Sequence, residues 1–275
     1  MPPPNTFAVT EFTDSGTQEE QRAEEIRILG YTIIPGVLGE EQLRLAREKI
    51  DEIYRAQIAE VGGDDVMRRI GDEHTARAPL AYDELFLEVA IHPTVLAVVE
   101  RLLGGGYFQL MLQNGIINIP AQGHEQAAGA WHRDLNYQHF VSSRPLSVSA
   151  LFCIDDFSAR TGGTHVLPGS HKVEAFPSEA FTEHRDVQVE APAGSVIVFD
   201  SMMYHRTGVN TSEGPRRAVN HMYTVPFIKQ QIDLPALLDG RYADDPVLGP
   251  FLGYESRPDR SPEAFRRKRL ARLER

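Results

Sequence analysis

The chain has only one cysteine, Cys153, among its 275 residues, so it cannot form an internal disulfide. It has no apolar run approaching the roughly 18–20 residues of a membrane-spanning helix, and Met1 to Asp14 lacks the segments of a signal peptide. Basic residues are also scarce: 28 Lys and Arg against 39 Asp and Glu give a net charge of −11. These absences favour a cytoplasmic protein that binds neither membranes nor nucleic acid.

The pattern of what is present changes along the chain, from helical to extended. Gly39 to Ala59 carries most of its apolar residues on one helical face, and Pro93 opens a second helix over Thr94 to Leu103. Between them, Gly62 to Tyr82 has no clear period and predicts a long loop, of the kind that often serves as a lid. Ser261 and the proline after it predict the start of a C-terminal helix.

Six apolar segments follow the helical part, separated by Gly, Pro and Asp. They are Tyr107 to Ile119, Leu146 to Ile154, Thr164 to Leu167, Val187 to Glu190, Ser195 to Phe199 and Arg216 to Val225. Short strands spaced in this way are typical of an antiparallel barrel or jelly roll. Pro192-Ala-Gly194 lies between two of these segments and predicts a hairpin or a sharp corner.

One stretch carries a candidate metal-binding pair, His132 and Asp134, separated by one residue. In an extended strand both side chains leave the same face. An imidazole and a carboxylate are two of the three ligands in the 2-His-1-carboxylate triad that holds Fe(II). The pair alone is weak evidence, because chance gives roughly 0.6 such pairs in a chain of this composition. A second copy, His184-Arg-Asp186, is spelled the same way.

A protein-kinase interpretation also has to be considered, because His132-Arg-Asp-Leu135 resembles a kinase catalytic loop. The position that requires asparagine in a kinase is His139, and the only lysine before the motif is Lys49, inside a predicted helix. No glycine-rich phosphate loop follows a first strand. The sequence therefore argues against a kinase.

Residues further along the chain favour the first pair over the second. His205 follows the apolar segment Ser195 to Asp200, and Arg216 comes eleven residues later at the start of another predicted strand. A guanidinium grips a carboxylate through two parallel hydrogen bonds, as a dicarboxylate co-substrate would need. His132 and His205 are far enough apart in sequence to come from different strands.

These motifs together resemble the phytanoyl-CoA dioxygenase family of Fe(II)/2-oxoglutarate-dependent oxygenases over nearly the full chain. The matching segments are Gly30-Tyr-Thr-Ile-Ile-Pro-Gly-Val-Leu38, Trp131-His-Arg-Asp134, Gly162-Gly-Thr-His-Val-Leu-Pro-Gly-Ser-His-Lys172, His205-Arg-Thr-Gly-Val-Asn210 and Arg216-Arg-Ala218. The resemblance implies a mainly β fold, with a double-stranded β-helix (a cupin-like jelly roll) flanked by helices. It implies a single oxygenase domain over residues 1–275, with a loose arm (1–18), a mainly helical part (19–106), the jelly-roll core (107–226) and a C-terminal extension (227–275).

The same resemblance implies the site. His132, Asp134 and His205 match the iron ligands, and Arg216 matches the arginine that binds the C5 carboxylate of 2-oxoglutarate. Arg217 is the competitor for that role, and strand alternation allows only one of the two. Thr164 and Gln113 are looser matches for further contacts with the co-substrate. Halogenating relatives lack the carboxylate, so its presence at Asp134 favours oxygenation.

The activity expected from the resemblance is oxidation of a C–H bond of a small molecule, such as a biosynthetic intermediate. Fe(II), 2-oxoglutarate and O₂ take part, and succinate and CO₂ are released. Hydroxylation is the first expectation, and desaturation, ring formation and endoperoxide formation stay open. Two alternatives also stay open: a catalytically silent barrel that binds a ligand, and a cupin-like metal hydrolase or isomerase. Arg68, Arg69 and Arg77 in the predicted loop could meet an anionic substrate, although surface ion pairs are the favoured explanation for them.

Overall fold

The computed structural model describes residues 16–106, 108–121, 129–135 and 140–273, in which helices come first and strands dominate later. The elements in chain order are α1 (Gln18–Leu29), β1 (Tyr31–Ile34), α2 (Glu40–Val61), α3 (Asp64–Ile70), β2 (Thr75–Arg77), α4 (Leu85–Ala90), α5 (Pro93–Leu103), β3 (Gln109–Asn118), β4 (Ser147–Cys153), β5 (His165–Val166), α6 (Glu179–Arg185), β6 (Val187–Gln188), β7 (Val196–Asp200), β8 (His205–Arg206), β9 (Arg216–Thr224), α7 (Leu234–Leu237), α8 (Leu248–Phe251) and α9 (Pro262–Leu273).

Two antiparallel sheets form the core and confirm the predicted jelly roll with flanking helices. The large sheet has the strand order β1-β7-β4-β9-β3-β2, and the small sheet has the order β6-β5-β8. Side chains from both sheets share one apolar cluster, in which Ile197 and Ala218 of the large sheet meet Val166 of the small one. The segment at Pro192 to Gly194 takes the chain from β6 in the small sheet to β7 in the large sheet. It is therefore a corner and not a hairpin.

A second, larger apolar cluster joins the large sheet to the helices. Phe86 of α4 and Val98 of α5 pack with Val148 and Phe152 of β4. Because β4 is buried along its whole length, its sequence is nearly continuous in apolar and small residues. The helices therefore fix one face of the large sheet and leave its other face for the space between the sheets.

The predicted helices lie close to where their patterns place them. In α2, Leu43, Ala46 and Ile50 are buried on one face, and Gly62 ends the helix in a left-handed conformation. The hydroxyl of Ser261 accepts a hydrogen bond from the Ala264 amide at the start of α9. Among the described residues, no helix is both long and apolar enough to cross a bilayer. Residues 1–15 of the predicted arm lie outside the described part, and the division into arm, core and extension stays a prediction.

The long loop predicted for Gly62 to Tyr82 is wrong in part, because this segment contains α3 and the edge strand β2. Helix α3 has seven residues and buries only Met67, so it shows too few turns for a helical period. Strand β2 has three residues, of which only Ala76 is buried. Elements this short leave little periodicity in the sequence. Strand β2 contributes Thr75 and Arg77 to the lining of the candidate site.

Candidate metal centre and its cavity

The backbone brings His132 and His205 side by side from segments 73 residues apart in sequence. Each amide donates to the carbonyl of the other, at 2.9 Å from the His132 nitrogen and 3.0 Å from the His205 nitrogen. This exchange is an isolated antiparallel bridge. The Asp134 amide donates to the Ser201 carbonyl at 2.9 Å, which extends the attachment by two residues. Main-chain bonds alone therefore set the relative positions of the three residues.

The three side chains converge on one point. One ligand atom from each of His132, Asp134 and His205 lies within 4.8 Å of the others. Asp134 Oδ1 is 3.4 Å from His205 Nε2 and 3.8 Å from His132 Nε2. Asp134 and His205 are largely buried, whereas His132 is about half exposed. Two imidazoles and a carboxylate in this arrangement match the donor set of the Fe(II) facial triad.

Both imidazoles have the tautomer that metal binding requires. The Nδ1 atom of His132 donates to the Ala130 carbonyl at 2.9 Å, and that of His205 donates to the Met203 carbonyl, also at 2.9 Å. A carbonyl oxygen can only accept, so each Nδ1 carries a proton and Nε2 of each ring is the nitrogen left for a metal. Both Nε2 atoms face Asp134. Such backbone bonds are the usual way in which metal-ligating histidines are oriented.

Charge at the site is balanced within the cluster. Burial acts to raise the pKa of Asp134, but His205 and the Ser149 hydroxyl outweigh it and hold the pKa at about 2. Burial, with the nearby His205, lowers the pKa of His132. Burial also acts to lower the pKa of His205, but Asp134 outweighs it and raises that pKa. Asp134 is therefore a carboxylate at neutral pH, as a ligand must be.

Small polar side chains fix the far side of the Asp134 carboxylate. The Ser149 hydroxyl donates to Oδ2 at 2.6 Å, and the Asn220 amide lies 3.4 Å from the same oxygen. Ser149 Oγ is also 2.8 Å from the Ser201 hydroxyl, deep between the sheets. Since Oδ2 is occupied by these donors, Oδ1 is the oxygen left to face the two imidazoles.

A cavity of about 250 Å³ opens beside the cluster, and Arg216 lines it. The guanidinium is buried, and its Nη2 donates to the Gly162 carbonyl at 3.0 Å. It lies 4.2 Å above the Phe157 ring and makes no ion pair with any described carboxylate. Its Nε has no hydrogen-bond partner among the described residues. Burial lowers the pKa of Arg216 to about 10, which still leaves it charged. A buried, uncompensated cation beside a cavity is a site for a ligand carboxylate.

Arg217, the competitor for this role, points the opposite way. It donates from Nε and Nη2 to the two carboxylate oxygens of Asp51 on α2, at 2.8 Å and 2.7 Å, and from Nη1 to Asp155 at 3.2 Å. Strand alternation separates the two arginines, as the sequence predicted. Arg217 therefore ties α2 to the sheet, and Arg216 is the one that faces the cavity.

The glycine-rich segment after β4 shapes the floor beneath Arg216. Gly162 has a φ of +72°, and a Cβ built on it would lie 2.5 Å from the Gly208 carbonyl oxygen. Only glycine fits where two chain segments approach this closely. The Pro-Gly-Ser-His turn that follows is structural: the Ser170 hydroxyl accepts from the Tyr204 amide at 2.8 Å, directly before His205, and His171 Nε2 lies 3.2 Å from the Arg27 carbonyl.

The structure places Thr164 and Gln113 differently. Thr164 lines the cavity together with Arg216. Gln113 does not reach it: its amide donates to the Phe86 carbonyl and lies 2.7 Å from His221 Nε2, and its oxygen accepts from the Leu80 amide. The predicted contact between Gln113 and the co-substrate is therefore wrong, because this side chain is fully engaged on the helical face of β3.

The second His-x-Asp pair is not a metal site. His184 lies in α6, and Asp186 ends that helix in an extended conformation. Asp186 instead accepts from His165 Nδ1 at 2.7 Å, and Arg206 lies 3.6 Å away. Among the described residues, His132, Asp134 and His205 form the cluster whose geometry could hold a metal ion.

Several cavity residues escaped the sequence argument, and some of them left a signal. Asn220 lies four residues after Arg216 on β9, so alternation places both on one face. Asn114 lies opposite Arg77 in the pairing of β2 with β3, and both line the cavity. Arg77 is the one of these two that the sequence offers as a contact for an anionic substrate. Ser149 orients Asp134 from behind the cavity, and its signal is a hydroxyl between the apolar residues Val148 and Ala150.

The sequence is similar to those of known proteins. A family model described as phytanoyl-CoA dioxygenase matches residues 27–218. The uncharacterized protein Rv1501 of Mycobacterium tuberculosis is 33% identical over 249 residues, covering 89% of this chain and 90% of that protein. The L-proline trans-4-hydroxylase of Streptomyces griseoviridis is 24% identical over 225 residues, covering 69% of this chain and 80% of that enzyme.

A solved structure also shares the fold. HygX from Streptomyces hygroscopicus, solved with nickel, 2-oxoglutarate and hygromycin B bound, superposes with a TM-score of 0.59. The match covers 78% of this chain and 90% of HygX, at 20% sequence identity. At this identity the likeness establishes the jelly-roll fold.

Proposed function

The chain belongs to the phytanoyl-CoA dioxygenase family of Fe(II)- and 2-oxoglutarate-dependent oxygenases, and we propose that His132, Asp134 and His205 hold the iron of this enzyme. We further propose that Arg216 binds the C5 carboxylate of 2-oxoglutarate, with Thr164 beside it. The reaction is hydroxylation of a C–H bond in a small molecule. The substrate, 2-oxoglutarate and O₂ give the alcohol, succinate and CO₂.

The observation that carries the ligand assignment is the orientation of the two imidazoles. Each Nδ1 proton is held by a backbone carbonyl, and each Nε2 faces the same carboxylate oxygen. With both Nδ1 atoms held by the backbone, the two Nε2 atoms and the Asp134 oxygen are left beside the cavity as three atoms that one metal ion can bind. The donor set fits Fe(II).

The residues of the chain position the ligands, provide counter-charge and limit the entry of water. Iron and 2-oxoglutarate, when bound, supply the activation of O₂ and the oxidising power. Arg216 holds the far end of the dicarboxylate and gains the counter-charge that the described protein does not provide. Ser149 keeps Asp134 turned toward the imidazoles. Leu151 and Phe199 line the cavity with apolar surface and limit the entry of water.

An anaerobic titration tests the proposal. Adding Fe(II) and 2-oxoglutarate to the protein should produce a weak visible charge-transfer band, which the His205→Ala variant should lose. His184→Ala is the matched control, since it removes a histidine from the unused His-x-Asp pair and should keep the band.

The titration, followed by turnover assays with and without O₂ and 2-oxoglutarate, separates the alternatives. A wild-type protein with neither the band nor release of succinate would favour the silent barrel. Activity that needs neither O₂ nor 2-oxoglutarate would favour a hydrolase or isomerase.

A further inference from the structure

A second arginine, Arg77, lines the cavity together with the metal cluster and Arg216. It is the last residue of β2, and it lies opposite Asn114 of β3, which also lines the cavity. Thr75, two residues earlier, faces the same way, while Ala76 between them is buried against the opposite side. Strand alternation thus commits the Arg77 side chain to the cavity.

One edge of the Arg77 guanidinium is paired with Asp72, and the other edge has N–H groups that no described residue uses. Asp72 accepts from Nε at 3.2 Å and from Nη2 in a bidentate pair. A guanidinium has five N–H groups, and this pair uses one on Nε and one on Nη2. Nη1 has no hydrogen-bond partner among the described residues. The Nη1–Nη2 edge therefore keeps three N–H groups and the fork geometry that matches a second carboxylate.

The backbone of Arg77 is held as firmly as its side chain. Its amide donates to Gln57 Oε1 at 2.8 Å, and its carbonyl accepts from Gln57 Nε2 at 2.7 Å, which fixes β2 against α2. A free arginine would lose about 2 kcal/mol of side-chain entropy on binding. Here that loss has already occurred on folding, so a ligand meets a preorganised donor.

Arg77 differs from the other cation of this segment with a described ion pair. Arg68 pairs with Asp65 and Glu73 on the surface, with 64% of its side chain exposed, and it does not line the cavity. Arg77 is 32% exposed and its partner Asp72 is 25% exposed. A surface ion pair explains Arg68, whereas Arg77 lines the cavity and keeps three N–H groups that no described residue uses.

The co-substrate does not need this arginine. Under the proposed function, the metal end of 2-oxoglutarate meets the cluster and the other carboxylate meets Arg216. Arg77, Thr75 and Asn114 then form a separate polar wall. We propose that this wall recognises the primary substrate, and that the substrate is a small, polar molecule with a carboxylate, which binds the Nη1–Nη2 edge of Arg77. This proposal rests on the proposed function.

The volume of the cavity limits the size of the substrate group that can lie beside the metal. A cavity of about 250 Å³ has to hold 2-oxoglutarate and the reacting part of the substrate. Pockets for drug-sized ligands measure about 300–1,000 Å³, so this space fits a compact reacting group beside 2-oxoglutarate.

A binding experiment with matched pairs of probes tests the proposal. The protein is loaded with Ni(II), which does not support turnover, and with 2-oxoglutarate. Small amino and hydroxy acids are then added, each beside its own primary amide, beginning with L-proline and L-prolinamide. At least one acid should raise the melting temperature more than its amide does. Its affinity should fall about 30-fold in Arg77→Gln and about 10-fold in Arg77→Lys, since the lysine keeps the charge but not the fork.

Arg68→Gln is the control and should bind the acid as the wild type does. The proposal is overturned if no acid in the panel exceeds its amide, or if Arg77→Gln binds the acid with unchanged affinity. If Arg77→Gln does not fold, Arg77→Lys and the wild-type comparison still decide. Stabilisation by 2-oxoglutarate itself, which should be the same in all variants, reports on the proposed function separately.

Discussion

Replacing the two neighbouring arginines of β9 by methionine should have opposite effects on ligand binding and on stability. Arg216 is buried without an ion-pair partner among the described carboxylates, whereas Arg217 is bound by Asp51 and Asp155. Methionine keeps much of the volume of the stem and removes the charge. The contrast therefore isolates what each guanidinium does.

The expected change in the free energy of unfolding for Arg216→Met follows from the burial of the guanidinium. Its pKa falls from 12.5 to about 10, and this fall corresponds to about 3 kcal/mol of unfavourable burial of the charged form at roughly 1.4 kcal/mol per pKa unit. Methionine removes that cost, but it also removes the bond to the Gly162 carbonyl and the contact with the Phe157 ring, about 1–2 kcal/mol each. The free energy of unfolding of the ligand-free protein should thus change by less than about 1 kcal/mol.

The same substitution should severely weaken co-substrate binding. Losing two charge-assisted hydrogen bonds to the C5 carboxylate, at about 1.5 kcal/mol each, raises the dissociation constant of 2-oxoglutarate by at least about 100-fold. Arg217→Met should leave this constant unchanged. It should instead lower the free energy of unfolding by about 2 kcal/mol, since it leaves two partly buried carboxylates without this cation.

Two measurements check this pair: guanidinium chloride unfolding of the ligand-free proteins, and calorimetric titration of the Ni(II)-loaded proteins with 2-oxoglutarate. Equal losses of stability in the two variants would refute the reasoning about Arg216. A larger loss of 2-oxoglutarate affinity in Arg217→Met than in Arg216→Met would show that the wrong arginine has been chosen.

Three further predictions concern the surroundings of the site. Ser149→Ala removes the donor that orients Asp134, and it should weaken Fe(II) affinity about 10-fold, measured by anaerobic titration. Gly162→Ala places a Cβ 2.5 Å from the Gly208 carbonyl oxygen at a φ of +72°, and it should lower the free energy of unfolding by about 2–4 kcal/mol, measured with denaturant. Burial raises the pKa of Asp200 from 3.8 to about 6, so its contribution to stability is full below pH 3.8 and is lost as the pH rises through 6. Asp200→Asn should therefore stabilise the protein at pH 8 by roughly 2–3 kcal/mol and remove this part of the pH dependence.

Each of these predictions has a contrary result. Unchanged Fe(II) affinity in Ser149→Ala would mean that other contacts suffice to orient the carboxylate. Gly169→Ala is the control for Gly162→Ala, since it has a similar positive φ of +80° but no heavy atom within 4 Å of the added Cβ. Equal losses in the two glycine variants would point to backbone strain alone. An Asp200→Asn variant no more stable at pH 8 than the wild type would contradict the raised pKa.

The large sheet and the helix α2 could be predicted from the sequence because each carries a regular pattern over many residues. Strand β4 is continuous in apolar and small residues, and α2 repeats Leu43, Ala46 and Ile50 on one face. The short elements α3, β2 and β8 escaped, because two to seven residues give periodicity too little room. These short pieces lie beside the site, so its walls were the hardest part to predict.

The metal cluster could be predicted from motif spacing and family resemblance, but its geometry could not. The bridge between His132 and His205 joins segments far apart in sequence, and no local pattern encodes such a pairing. The prediction for Gln113 failed because one residue along β3 decides the face: Asn114 points into the cavity and Gln113 away from it. A β-bulge between Leu110 and Leu112 further obscures the alternation.

The bridge between His132 and His205 affects how such a site can evolve by substitution. Its hydrogen bonds are made by main-chain atoms, and the Asp134 amide is anchored in the same way. The scaffold therefore holds the three positions whichever side chains occupy them, and a substitution alters the donor set without moving its frame. A new chemistry on this framework requires exchange of a single side chain, while the folding of the strands that carry it stays the same.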